Sequence, residues 1–358
     1  MTLTNDMPIF DGHNDSLQVM YLPKKGDGRS LLERSDRGHI DLPRMREGGF
    51  GGGFFAVFVP SLQSAKGYPG IHPTATETAY SIPLASPIDT NHAQKITIKG
   101  MASLFRLTAE SEGQIKVIRT ADELVTCLRQ GIIAAVLHFE GAEAIDPGLD
   151  ALHVFYEAGL RSLGMAWSRS NLFAHGVPFK FPHSPDTGSG LTDQGQELVR
   201  ACNQLGIAID LSHINERGFW ETAKLTDAPL VVTHTAAHTL CPSTRNLTDR
   251  QLDAIGASDG VVGVNFHVAF LRSDGHLDPD TPLTEIVHHI DYIAERIGID
   301  HVALGSDFEG ATMPRELGDV SGLPKLLALL RKSGYDDTAL GKLTHENWVR
   351  VLRKTWKE

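Results

Sequence analysis

Eight short apolar runs, each separated from the next by enough chain for a helix, constrain the fold most; they lie at residues 8–11, 54–59, 133–139, 161–167, 207–211, 230–233, 261–266 and 302–305. Continuous runs rich in Val, Ile and Phe suit strands covered on both faces. Their alternation with amphipathic stretches at 193–205 and 284–297 implies a parallel sheet. Eight such units in 358 residues predict an α/β fold, a (β/α)8 TIM-like barrel filling a single catalytic domain from residue 1 to 358. Two stretches break the spacing. Residues 60–107 read as an excursion around the barrel mouth with a long helix from about 82 to 108. Residues 168–192, containing "FAHGVPFKFPHSPDTGSG", lack periodicity and read as a mobile active-site loop.

Composition narrows the function. The net charge is −11 and no Lys/Arg cluster occurs, which excludes a nucleic-acid partner that needs a basic face to displace counterions. Three cysteines, Cys127, Cys202 and Cys241, form no CxxC pair, so neither a disulfide framework nor a thiolate metal site is expected. The first residues lack a basic segment followed by an apolar one, and no apolar run reaches the roughly 20 residues that cross a bilayer. The expectation is a cytoplasmic protein with a small-molecule substrate and no membrane partner, a homodimer being the default oligomer.

In a parallel barrel, reactive groups sit just past the C-terminal ends of the strands, so the residues that end each run are read together. The first run ends in His13 and Asp15 ("DGHND"), the third in Glu140 ("HFEG"), the fifth in His213 ("DLSH"), the sixth in His234 ("VVTHTAAH") and the eighth in Asp307 ("GSDFEG"). Residues i and i+2 of an extended chain share a face, so His13 and Asp15 both reach the mouth. Imidazole with carboxylate suits a borderline divalent ion, Zn²⁺ foremost, with Mn²⁺, Co²⁺ or Fe²⁺ as alternatives. His213 and His234 form a second position, and the two oxygens of Glu140 suit a bridge. Two ions roughly 3.5–4 Å apart share a hydroxide that is nucleophilic at neutral pH. Asp307 is then the acid/base that carries the proton to a leaving amine.

Taken singly, each of these residues is as well explained by a satisfied core histidine or a helix cap. Together in one mouth, their like-charged carboxylates would be undersolvated without a cation. His138 and Glu143 are expected to point elsewhere and to be structural, and His238, His288, His289 and His301 to be solvated or capping. Arg245, on the loop after the sixth run, lies over the same mouth, where a guanidinium pairs with a substrate carboxylate; a plain surface arginine is the other reading.

In order, "DGHND", "HFEGAEAI", "DLSH", "THTAAHTLCPSTRN", "GSDFEG" and "HENWVRVL" resemble the membrane (renal) dipeptidase family of zinc metallopeptidases, in a bacterial, cytoplasmic form. The similarity runs from Asp11 to about Val351 and includes the second-run segment "HIDLPRMREGGFGGGFFAVFVP". It implies a barrel of the metal-dependent hydrolase type with two zinc ions. His13 and Asp15 would hold one ion, His213 and His234 the other, and Glu140 would bridge them. It further implies Asp307 as the proton-transfer acid and Arg245 as the arginine for the substrate carboxylate. Trp167 stands where vertebrate members carry a substrate-binding histidine, so oxyanion stabilisation is expected from the metal, Arg245, Asn171 or His175. His267 replaces a tyrosine after "VNF", altering the pocket for the C-terminal side of the substrate. The expected activity is hydrolysis of free dipeptides, L-D dipeptides included. The rivals are another amidohydrolase reaction (N-acyl amino acid deacylation, lactone or β-lactam hydrolysis) and an inactive metal-binding barrel.

Overall fold

The computed structural model describes residues 7–22, 29–61, 74–76 and 78–357. Each apolar run forms a strand: β1 (Ile9–Asn14), β2 (Phe50–Phe58), β3 (Ile133–Glu140), β4 (Leu160–Gly164), β5 (Ala208–Asp210), β6 (Val231–Thr235), β7 (Val261–Val264) and β8 (Val302–Leu304). They pair in chain order, all parallel. A short strand, Ile115–Val117, covers the first half of β3, whose second half pairs with β4. The two edges meet beyond the strand ends: the Asp15 N–H donates to Phe308 O at 2.8 Å and the Asp307 N–H to His13 O at 3.0 Å. These bonds nearly close an α/β barrel, and they do so at its C-terminal rim.

The helices expected at 193–205 and 284–297 are found there, as Asp193–Leu205 and Thr284–Ile297. The helix expected from residue 82 instead begins at Thr90 and ends at Glu110. Pro83 and Pro87 keep the chain extended, and the Asp89 carboxylate caps the helix by accepting from the His92 N–H at 3.0 Å. The stretch 62–73 and residue 77 of the expected excursion lie outside the described residues.

Below the mouth the barrel is filled by Phe10, Phe54, Val136, Val231, Val261 and Ala303, all fully buried. Trp348, on α1 (Asn347–Thr355), plugs this layer against Phe10 and Phe54 at ring-centroid distances of 6.3 and 5.1 Å. Its indole N–H donates to Leu304 O at 3.3 Å.

The aperiodic segment 168–192 is anchored at several points by distant parts of the chain. Phe179–Phe181 pairs antiparallel with Tyr80–Ile82, which in turn pairs with Thr74–Ala75. The Val177 N–H donates to His213 O at 2.7 Å, and the Thr192 N–H donates to Phe173 O at 2.9 Å. The segment is a fastened roof over one side of the mouth. Its lack of periodicity reflects partners far away in the chain. No helix among the described residues is long and apolar enough to cross a membrane.

Candidate metal centre

β3 carries alternate residues into the barrel: Ala134 and Val136 join the apolar filling, His138 lies above them, and Glu140 reaches the rim. In β1, Phe10 packs in that filling, and a register shift between Asp11 and Asn14 re-aims the end of the strand. There the His13 ring lies 3.9 Å from the His234 ring, and its Nε2 is 3.8 Å from Glu140 Oε1 and 3.9 Å from Asp15 Oδ1. His213 Nε2 lies 3.1 Å from the same Glu140 oxygen and 3.0 Å from His234 Nε2. Four side chains from three other strand ends thus gather around Glu140, and all five are buried. Ligand-type atoms of His13, Glu140 and His234 lie within 4.8 Å of one another, as do those of His13, Asp15 and Asp307.

Two imidazoles are turned so that Nε2 faces the cluster. His213 Nδ1 bonds the Ser168 hydroxyl at 3.0 Å. His234 Nδ1 bonds the Thr233 hydroxyl at 2.9 Å, and that hydroxyl donates to Asp210 Oδ2 at 2.6 Å. Asp210 also accepts from Thr233 N–H, Ser212 N–H and the Ser212 hydroxyl, tying the ends of β5 and β6 together. Burial, reinforced by neighbouring imidazoles and Arg245, pushes His13, His213 and His234 well below the usual histidine range. They are therefore neutral, with lone pairs to offer. Burial, then the charges of Asp15 and Asp307, pushes Glu140 well above the usual carboxylate range. Both ring nitrogens of His13 are buried without a hydrogen-bond partner. Neutral imidazoles beside repelling carboxylates are a donor set that a divalent cation relieves, so the residues fit one.

Asp307 and His213 both adopt left-handed backbone, at φ 64° and 63°, which non-glycine residues reach only where their surroundings hold them. Asp307 Oδ2 accepts from Asn265 Nδ2 at 3.0 Å. Gly310 packs directly against both Asp15 and Asp307, whose carboxylate oxygens a Cβ there would overlap. Arg245 is buried rather than a surface residue: its Nη2 donates to His234 O at 3.3 Å, its Nε has no partner, and its Cζ lies 5.5 Å from the Phe270 ring centre.

Trp167 stands 5.8 Å from the His213 ring, half-buried at the mouth. His267 packs edge-on to Phe270 at 4.5 Å and accepts the Thr312 N–H at Nδ1, with burial pushing its pKa down to about 4. Asn171 departs from its expected role. Its amide donates to Met165 O and accepts from Phe173 N–H and Ala174 N–H, so it staples its own loop. His175 likewise bonds Ser170 within that loop. His138 also departs from expectation, because it shares strand parity with Glu140. Its ring lies inside the barrel 5.4 Å from His13, bonded to Ser162. Glu143 is a buried partner of Arg169 at 2.7 Å. His289, expected to be solvated or capping, is buried between Ala237 N–H and Leu271 O. Sequence reasoning passed over Asn265, which the strand-end rule applied to the seventh run would have reached. It also passed over Thr233, Asp210, Phe179 and Phe270, whose placement depends on contacts between elements.

A nearly closed parallel barrel with this donor set at its C-terminal rim defines a metal-dependent hydrolase. The chain belongs to the membrane dipeptidase family, peptidase family M19, whose model matches residues 1–357. It is a metallo-dipeptidase of that family. A metallo peptidase from Rhodobacter sphaeroides, solved with a phosphinate mimic of the dipeptide L-Ala-D-Ala, superposes with a TM-score of 0.92 at 48% identity, covering 98% of this chain and 99% of that one. An uncharacterized protein in the pqqA 5′ region of Klebsiella pneumoniae is 52% identical over 258 residues, 72% of this chain and 95% of its own length. Dipeptidase tcpJ of Claviceps purpurea is 29% identical over 350 residues, 96% of this chain and 76% of its own.

Proposed function

We propose that the protein is a zinc-dependent dipeptidase whose substrates include L-D dipeptides. The observation that carries this is the convergence of His13, Asp15, His213 and His234 on Glu140, with Arg245 beside them. His13 and Asp15 would hold one zinc ion, His213 and His234 a second, with Glu140 between them. Zinc at these positions supplies a nucleophilic water at neutral pH and Lewis-acid polarisation of the scissile carbonyl. Arg245 binds the free α-carboxylate of the dipeptide and so sets the distance from the chain end to the scissile bond. Asp307, held by Asn265, takes a proton from the attacking water and delivers it to the departing amine. The L-Ala-D-Ala mimic bound by the Rhodobacter sphaeroides relative supports a D-residue on the C-terminal side. Three buried free thiols suit a reducing compartment, and we place the enzyme in the cytoplasm on that ground.

The test is turnover of L-L and L-D dipeptides by purified, zinc-loaded protein, beside N-acyl amino acids and lactones. Dipeptide cleavage is expected, with Asp307→Asn lowering kcat about 10²- to 10⁴-fold. Cleavage of acylated or cyclic substrates alone would move the reading to another amidohydrolase reaction. Undiminished turnover by Asp307→Asn would remove that residue from the chemistry.

A further inference from the structure

A file of aromatic rings borders the metal centre and is not used by the chemistry above. Phe58, at the end of β2, lies 5.0 Å from Trp167, and Trp167 lies 5.8 Å from Phe179 in the roof. Phe179 stacks on Phe270 at 6.3 Å with an interplanar angle of 7°. Trp167 and Phe179 both touch the His213 ring, at 5.8 and 6.2 Å. Phe58, Trp167 and Phe179 are half-buried, whereas Phe54, Phe55, Phe173 and Phe219 in the core are fully buried. Phe270 behind them is buried, and the strand that carries Phe179 is also bonded to Thr244 through Lys180, so the three half-buried rings are held in place at the rim.

Position decides what they contact. Arg245 lies over Phe270, so an α-carboxylate bound to Arg245 places the Cα of the same residue beside Phe270 and Phe179. We propose that Phe179 and Phe270, closed off by Trp167, form the pocket for the side chain of the substrate's C-terminal residue, and that they select bulky apolar side chains. The inference rests on the dipeptidase reading. Electrostatics point the same way. Arg245 is engaged by the α-carboxylate, and His267, edge-on to Phe270, is neutral near pH 7 because burial pushes its pKa down to about 4. The nearby Arg169 guanidinium, 5.2 Å from the Trp167 ring, is committed to Glu143 at 2.7 Å, and Arg245 itself repels a basic side chain.

The experiment compares kcat/KM for Ala-X dipeptides with X as Gly, Ala, Leu, Phe, Asp and Lys, in both stereochemical series, for the wild type, Phe179→Ala and Phe179→Leu, all zinc-loaded. The wild type should favour Leu and Phe over Gly by about tenfold or more, a range that apolar pockets reach, with Asp and Lys lowest. Phe179→Ala should collapse the Leu-to-Gly ratio toward one, mainly through KM, and Phe179→Leu should restore part of it. A flat wild-type profile, or one that favours Gly, Asp or Lys, overturns the pocket while leaving the dipeptidase reading intact. A Phe179→Ala loss that is equal for every X also overturns it. No turnover of any dipeptide by the wild type overturns both. Should Phe179→Ala fail to fold, the wild-type profile alone decides between these outcomes.

Discussion

At the scale of single residues, the centre depends on groups that never touch substrate. His234 presents Nε2 to the cluster because its Nδ1–H is held by the Thr233 hydroxyl, which Asp210 orients in turn. Such supporting partners fix the tautomer and ring angle of a ligating histidine. Thr233→Val keeps the shape and removes the hydroxyl. Zinc affinity, measured by competition with a chromogenic chelator, should fall about 10- to 100-fold. An unchanged affinity would show that β6 alone aims the ring. Before any contact is considered, the residue types at the strand ends already spell a cation site. The side-chain amide of Asn171 shows the limit of that reading, since it is consumed by hydrogen bonds to its own loop.

At the scale of elements, α1 closes the bottom of the barrel. Trp348 is fully buried among Phe10, Phe54 and the Leu304 carbonyl. Trp348→Ala opens a cavity in a layer made by several strands at once, and should cost about 3–5 kcal/mol in chemical unfolding. A loss under about 1 kcal/mol would mean that the helix is not integral to the barrel. The periodicity of the helices at 193–205 and 284–297 made both legible to the residue, because an amphipathic helix writes its buried face into neighbouring positions. The start of the helix at Thr90 turned instead on two prolines and a cap. The pairing of Phe179–Phe181 with Tyr80–Ile82 was not legible, because partners about a hundred residues apart leave no local pattern.

At the scale of the whole molecule, His289 joins helix Thr284–Ile297 to the loops behind His234 and Phe270. It accepts the Ala237 N–H at Nδ1 and donates from Nε2 to Leu271 O, and burial pushes its pKa down to about 4 from an ordinary 6.5. The unfolded chain therefore binds a proton that the folded chain refuses. Its contribution is fully present above pH 6.5 and is lost as pH falls toward 4. Between pH 7.5 and 5 this one group should take away about 2 kcal/mol of folding stability. His289→Gln should show a correspondingly smaller drop in urea unfolding over that interval. Equal drops in both proteins would show that His289 is protonated in the fold.

By itself the sequence determined the order of strands and helices and the chemistry waiting at each strand end, since both follow from periodicity and residue type along the chain. In a parallel barrel every strand delivers its last residues to one rim, so a linear text is enough to say which groups share it. Only the tertiary structure decided how they are aimed: the left-handed turns at His213 and Asp307, the burial of Arg245 and His289, and the aromatic roof. Those features are stabilised by contacts between segments distant in the chain, and no local propensity encodes them.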